Sequence, residues 1–119
     1  HNSENFLLFI QEVCKFTGDI VILFKENIYF NEIDENKLNE LSIIMKKLLT
    51  KIYEKDKNCP FNLYLHCHPL NEENDYKNKY NVHIHIVPRK FNFGGFELST
   101  GMYISSKKSE DIAKKLKFD

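Results

Sequence analysis

YNVHIHIV, residues 80–87, is the clearest β-strand pattern in the chain. Successive side chains of a strand point to opposite faces of its sheet, so this stretch has one apolar face and one polar face. The apolar face holds Val82, Ile84 and Ile86. The polar face holds Asn81, His83 and His85. The pattern predicts a strand that packs on a core with one face and presents histidines on the other.

The sequence on either side predicts further strands. Residues 6–9 and 19–24 are short apolar runs separated by turn residues, and residues 62–67 alternate polar and apolar side chains like a half-buried strand. Residues 71–79 are charged and aperiodic, which is typical of an exposed loop. Gly94 and Gly95 mark a turn or a close backbone approach, and we expect residues 97–105 to add another strand.

Two helices complete the predicted domain. Between Asp34 and Glu54 apolar residues recur at three- and four-residue spacing, which predicts one amphipathic helix with Asp34 as its cap. Its predicted apolar face consists of Leu38, Leu41, Met45, Leu48, Leu49 and Ile52. A last, short helix begins at Ser109 and runs through Leu116. The order of elements predicts an α+β domain built around an antiparallel sheet.

Composition excludes several classes of protein. The 119 residues fit a single domain, and 17 basic residues balance 17 acidic ones, so a general nucleic-acid binder is not expected. No apolar run is long enough for a membrane helix, and we expect no membrane partner. Three cysteines without a CxxC spacing favour reduced thiols and a cytoplasmic location. The chain opens with His1 and has no initiator Met, which suggests a piece of a larger protein.

Four of the five histidines form two His-x-His pairs, His66 with His68 and His83 with His85. Residues two apart on a strand project from the same face, so each pair can share a metal ion or an anionic ligand. If the two strands are neighbours, three or four imidazoles converge, and such a set suits zinc or iron. The alternative is a polar strand face in contact with solvent.

Charged residues near these pairs have two interpretations each. Arg89 follows Pro88 at the end of the strand and could hold phosphate oxygens through a bidentate fork, or simply be solvated. Glu97 follows the glycine pair and could accept hydrogen bonds from sugar hydroxyls, or be an ordinary turn acid.

Cys67 should point to the apolar face as a small buried thiol. Cys14 and Cys59 have no matched partners, and we expect both to be structural.

The run HIHIVPR, residues 83–89, resembles the end of the histidine-triad signature. In that alignment Asn81 takes the place of the first histidine, and His83 takes the middle place. The resemblance implies that His83 attacks a nucleotide α-phosphate as a neutral imidazole and forms a nucleotidyl-histidine.

Further motifs resemble the second half of galactose-1-phosphate uridylyltransferase and related nucleotide-sugar phosphorylases. These motifs are FNLYLH at residues 61–66 and GFELSTGMYI at residues 95–104, and the resemblance covers nearly the whole chain. It implies that His66, His83 and His85 are metal ligands, completed by a carboxylate from the first half. It also implies that Glu97 contacts the sugar. The catalytic His-Pro-His-x-Gln motif of the first half is absent, since residues 66–69 read HCHP.

The resemblance leads to one favoured interpretation and two alternatives. In the favoured one, residues 1–119 form a single histidine-triad-like α+β domain with an antiparallel sheet, one long helix and one short helix. It would be the C-terminal half of a cytoplasmic uridylyltransferase-like enzyme of galactose metabolism. This half would hold zinc or iron on the three histidines and contact a nucleotide sugar or sugar phosphate through Glu97, Arg89 and Asn81. Its partners would be the N-terminal half and, because triad proteins are often dimers, a second copy.

The first alternative is a stand-alone nucleotide hydrolase or transferase in which His83 attacks, His85 assists and Arg89 steadies the phosphate. The second is a non-catalytic nucleotide-binding or dimerisation module that keeps only the fold.

Overall fold

The computed structural model of the protein describes residues 1–70, 80–90 and 92–117. Its centre is a four-stranded antiparallel sheet with the strand order β1-β2-β4-β3. The strands are β1 (Phe6–Ile10), β2 (Ile20–Phe24), β3 (Phe61–His66) and β4 (His83–Pro88). The predicted α+β class is confirmed. The alternating stretch at residues 80–87 forms the ladder only from His83 onward, whereas Val82 is already completely buried.

One face of the sheet packs on helix α1 (Glu35–Lys55). The side chain of Asp34 accepts a hydrogen bond from the Lys37 backbone N–H, which caps the helix as predicted. The buried positions of α1 are Leu41, Ile44, Leu48 and Ile52. The predicted apolar face was wrong at one end, because Leu38 is 52 % exposed and Ile44 belongs to the core instead.

Alternating strand residues supply the other side of this core. Ile22 and Ile84 are paired across β2 and β4, and both are buried beneath α1. At the end of the sheet the rings of Phe6 and Phe24 meet edge to face, with centroids 4.9 Å apart. Burial of this apolar surface is the main favourable contribution to folding.

The predicted strand at residues 97–105 is wrong, because Gly95–Thr100 forms a short helix, α2. The Glu97 carboxylate accepts the Gly94 backbone N–H at 2.9 Å and so caps the first turn. Gly101 ends the helix in the left-handed conformation, with φ of 70°. Helix α3 (Ser109–Leu116) follows as predicted, so the described residues contain two short α-helices where one was expected.

The third predicted strand differs in its burial. We expected residues 62–67 to be half-buried, but all six residues of β3 are exposed. Among the strands of the described residues, β3 lies at the edge of the sheet and pairs with β4 alone. The loop predicted at residues 71–79 lies outside the described residues. No helix in the described ranges combines the length and the apolar character that crossing a membrane requires.

Candidate metal centre

The pairing of β3 with β4 brings three histidines together. His66 is the direct cross-strand partner of His83, and His85 lies two residues further along β4 on the same face. One ligand nitrogen from each of the three imidazoles lies within 4.8 Å of the others. The structure therefore brings together the three residues that the sequence singled out as metal ligands.

Hydrogen bonds determine which nitrogens of two of these rings can bind a metal. His83 Nδ1 lies 2.9 Å from the backbone carbonyl oxygen of Asn81, and His85 Nδ1 lies 2.8 Å from Asp19 Oδ1. Both partners are acceptors, so in each ring Nδ1 carries a proton and Nε2 is the nitrogen left for a metal. A metal-binding histidine commonly has such a partner, which fixes the ring and its tautomer.

The environment of the third ring, His66, favours its neutral form. Burial lowers the pKa of His66, and the neighbouring His83 and His85 lower it further, while the Asp19 carboxylate opposes them. A neutral imidazole is the form that binds a metal. The rings of His66 and His83 are stacked with centroids 4.8 Å apart, and Tyr64 stacks at the same separation on His85.

His68 does not join this cluster. It is 2 % exposed, and its Nε2 donates to the backbone carbonyl of Tyr80 at 2.7 Å. Its Nδ1 is buried without a hydrogen-bond partner among the described residues, and its ring contacts those of Tyr29 and Tyr80. Of the three or four imidazoles expected to converge, three do.

Sequence reasoning missed Asp19 and Tyr64. The sequence predicted Asp19 only as a residue between a turn and the start of a strand, yet it is buried and supports His85 across 66 positions of sequence. No local pattern indicates such a contact. Tyr64 could have been found, because it lies two residues before His66 and therefore on the same face of β3.

Arg89 and Glu97 lie further along this side of the molecule, in a separate cleft. The cleft is also lined by Lys15, Phe16 and Phe93. The Arg89 guanidinium lies over the rings of Phe16 and Phe93, 5.6 and 5.7 Å from their centroids. These cation–π contacts hold the guanidinium at the cleft. Glu97 uses one carboxylate oxygen in the cap of α2.

Asn81, the remaining predicted site residue, has a structural contact of its own. Its side-chain Nδ2 donates to the backbone carbonyls of Phe24 and Lys25, at 2.8 and 3.3 Å. These bonds join the start of β4 to the end of β2. Asn81 also supplies the carbonyl that orients His83, so its backbone contributes to the cluster directly.

Several known proteins share this fold, and some of them are also similar in sequence. An ADP-glucose phosphorylase of Arabidopsis thaliana is 33 % identical over 86 residues, which are 72 % of this chain and 24 % of the relative. The structure of a GalT-like protein from the same plant superposes with a TM-score of 0.86 at 29 % identity. That match covers 98 % of this chain and 39 % of the other. The chain resembles the GalT-like proteins.

Other solved structures have the same fold. An Arabidopsis thaliana ADP-glucose phosphorylase with bound ADP-glucose has a TM-score of 0.85 at 29 % identity, over 96 % of this chain and 37 % of that one. A uridylyltransferase mutant has a TM-score of 0.81 at 19 % identity, over 98 % of this chain and 40 % of that one, which supports the fold alone. No protein-family profile matches the chain. The chain spans about a quarter of the curated relative's length.

Proposed function

We propose that this chain is one domain of a GalT-like nucleotidyltransferase that acts on nucleotide sugars and sugar 1-phosphates through a nucleotidyl-histidine intermediate. The relatives support the reaction class, since they include an ADP-glucose phosphorylase with bound ADP-glucose. The chain spans only part of their length, so we propose that residues 1–119 are the C-terminal half of the enzyme. The N-terminal half would then supply the nucleophile, since no His-Pro-His-x-Gln motif occurs here.

The role proposed for this half is to hold a metal and to contact the sugar phosphate. The observation that carries this proposal is the convergence of His66, His83 and His85, with the Nδ1 atoms of two rings held by acceptors. Three imidazole ligands suit zinc, and they suit iron as well. A bound ion would cross-link β3 and β4 and stabilise the face that meets the substrate.

A fourth ligand would have to come from elsewhere. Among the described residues no Cys, Asp or Glu joins the three histidines. A tetrahedral zinc site requires one more ligand, and we propose a carboxylate of the N-terminal half. Asp19 accepts a hydrogen bond from His85 Nδ1–H, so it supports the site by orienting that ring.

Substrate contacts are proposed for Arg89, Glu97 and Asn81. Arg89 and Glu97 line one cleft, which offers a cation for phosphate oxygens and a carboxylate for sugar hydroxyls. The amide nitrogen of Asn81 is occupied by backbone carbonyls, so its Oδ1 is the atom through which it would contact a ligand. The finer points remain part of the same proposal: a cytoplasmic homodimer, zinc or iron as the metal, and a place in galactose metabolism.

A second candidate function rests on the orientation of His83. Its Nδ1–H donates to the Asn81 carbonyl, which leaves Nε2 as the nitrogen that could attack. In this alternative Nε2 forms a bond to the α-phosphorus, the bond from that phosphorus to the bridging oxygen breaks, and the sugar phosphate leaves. Water or phosphate then displaces the histidine, with His85 assisting and Arg89 steadying the phosphate. A module that only binds nucleotides or dimerises would show neither metal nor adduct.

Native mass spectrometry tests these candidates together. The purified protein is measured alone and after incubation with UDP-glucose or ADP-glucose, beside the variants His66→Ala and His83→Ala. The proposal expects the mass of one zinc or iron, lost in both variants, with no nucleotide adduct on this domain. A covalent nucleotidyl adduct that disappears only in His83→Ala would instead make His83 the nucleophile. His68→Ala is the matched control, since this histidine lies outside the cluster.

A further inference from the structure

A group of lysines surrounds two adjoining clefts that are separate from the histidine cluster. Lys55 at the end of α1 and Lys107 before α3 line both clefts, and the two clefts share Ile112 as well. Lys115 and Lys108 complete one cleft, and Lys90 belongs to the other. The whole chain is electrically neutral, so this concentration of positive charge is a local feature.

Few acidic groups offset these lysines. Two aspartates line the clefts, Asp56 and Asp111, and Asp56 already pairs with Lys90 at 3.0 Å. Within the described ranges, neither Lys55 nor Lys107 nor Lys115 forms a salt bridge. Partial burial lowers the pKa of Lys55, and repulsion from Lys107, Lys115 and Lys90 lowers it further. The ammonium groups are therefore close enough to destabilise one another when nothing lies between them.

The cleft that Lys90 lines has an apolar floor. Ile52, Ile112 and Leu116 line it below the ammonium groups, together with Pro88. Several converging cations suit a multiply charged anion, and lysine is a common phosphate ligand. An apolar floor beneath them suits a carbon skeleton attached to that anion.

We propose that these lysine clefts form a binding site for a phosphate-bearing small molecule. The site is distinct from the cleft of Arg89 and Glu97, although the two regions adjoin at Thr17 and Pro88. It does not depend on metal at the histidines, so it can be tested separately from the proposed function. Bound phosphate would offset the repulsion at Lys55 and stabilise the folded protein.

Isothermal titration calorimetry with phenyl phosphate and with inorganic phosphate tests the proposal at low ionic strength. The cleft variant combines Lys55→Gln, Lys107→Gln and Lys115→Gln. The matched control combines Lys46→Gln, Lys47→Gln and Lys57→Gln, which removes the same charge outside both clefts. We expect the cleft variant to bind phenyl phosphate at least tenfold more weakly and the control to stay within twofold of the unmodified protein.

The two ligands distinguish the sources of phosphate. Tighter binding of phenyl phosphate would identify an organic phosphate ester, whereas equal affinities would identify free phosphate. The variant Arg89→Gln tests the neighbouring cleft. If phenyl phosphate binding were lost in Arg89→Gln but kept in the cleft variant, the proposal would be overturned. Equal weakening in both triple variants, or no binding at millimolar concentration, would also overturn it. Thermal unfolding without ligand gives an independent check, because removing the repulsion should raise the Tm of Lys55→Gln.

Discussion

Removing the negative charge behind His85 should weaken metal binding although Asp19 is not a ligand. Asp19 is 6 % exposed, and its Oδ1 accepts the His85 Nδ1–H at 2.8 Å. In Asp19→Asn the amide oxygen can still accept this bond, so the ring orientation is kept while the charge is lost. In Asp19→Ala both are lost, and the Nδ1–H of the half-buried His85 is left without its partner.

The size of the effect follows from the kind of contact. Partners that orient a metal-binding histidine typically change metal affinity by about 10- to 100-fold when they are replaced. We expect Asp19→Asn near the lower figure and Asp19→Ala near the upper one, which corresponds to about 1.4 and 2.7 kcal/mol of binding free energy. Competition for Zn²⁺ against a chromophoric chelator at neutral pH measures both.

Two controls make this result interpretable. Asp56→Asn removes the same charge from an ion pair with Lys90 and should leave zinc affinity unchanged. Co²⁺ substitution reports ligand number through its visible spectrum, which should be the same in Asp19→Asn as in the unmodified protein. Affinity within twofold of the unmodified protein in both Asp19 variants would refute the reasoning. A spectrum that indicates a lost ligand would show instead that Asp19 coordinates the metal itself.

Three further predictions concern stability. Burial alone would raise the pKa of Glu40, but hydrogen bonds from Asn5 and Ser3 outweigh it and lower this pKa. Glu40 therefore contributes stability above pH 4.5 that is lost as the pH falls through its lowered pKa. Chemical denaturation should find Glu40→Gln less stable than the unmodified protein at pH 7, with a difference that shrinks as the pH falls below 4.5, and a difference that does not depend on pH would contradict this. Leu48→Ala should lower the free energy of unfolding, measured in urea, by about 2–5 kcal/mol, because Leu48 is buried. Leu38→Ala should lower it by less than about 1 kcal/mol, because Leu38 is exposed. Equal losses in the two variants would contradict the observed buried face of α1. Gly101→Ala should lower the free energy of unfolding by about 1 kcal/mol in the same measurement, because a residue other than glycine is strained at a φ of 70°. An unchanged free energy of unfolding would show that the left-handed turn is not required.

Periodic elements were predicted well because their pattern reflects burial directly. Strand β4 follows from the alternation of residues 80–87, and α1 was placed within one residue at each end. Helix α2 was missed because six residues are too few to show a helical period. Its position depends on the Glu97 cap and on Gly101, so local backbone geometry outweighs the apolar residues that suggested a strand.

The candidate site was predictable only in part, for a reason of topology. The alternation of side chains along a strand placed His83 and His85 on one face, and the same rule applies to β3. This alternation does not determine which residue of β3 lies opposite His83, and the pairing with His66 depends on the register of the two strands. Asp19 was out of reach because its contact with His85 depends on β2 lying beside β4. The catalytic, metal-binding and substrate-binding roles themselves stay predictions.

The three candidate ligands differ in how firmly the protein holds them. His83 and His85 are half-buried and hydrogen-bonded, whereas His66 is exposed on the edge strand, and within the described ranges no hydrogen bond orients it. The cluster is therefore preorganised on its β4 side and open on its β3 side. We expect a fourth ligand from the proposed N-terminal half to approach on the β3 side, where His66 is exposed.

This asymmetry separates two otherwise similar variants. His66→Ala should abolish metal binding with little effect on the stability of the metal-free protein, because its ring has no hydrogen bond to lose among the described residues. His85→Ala should abolish metal binding and also destabilise the metal-free protein, since it leaves the buried Asp19 carboxylate without its partner. Urea unfolding after chelation measures the difference, and equal losses in the two variants would mean that the site is not preorganised by Asp19.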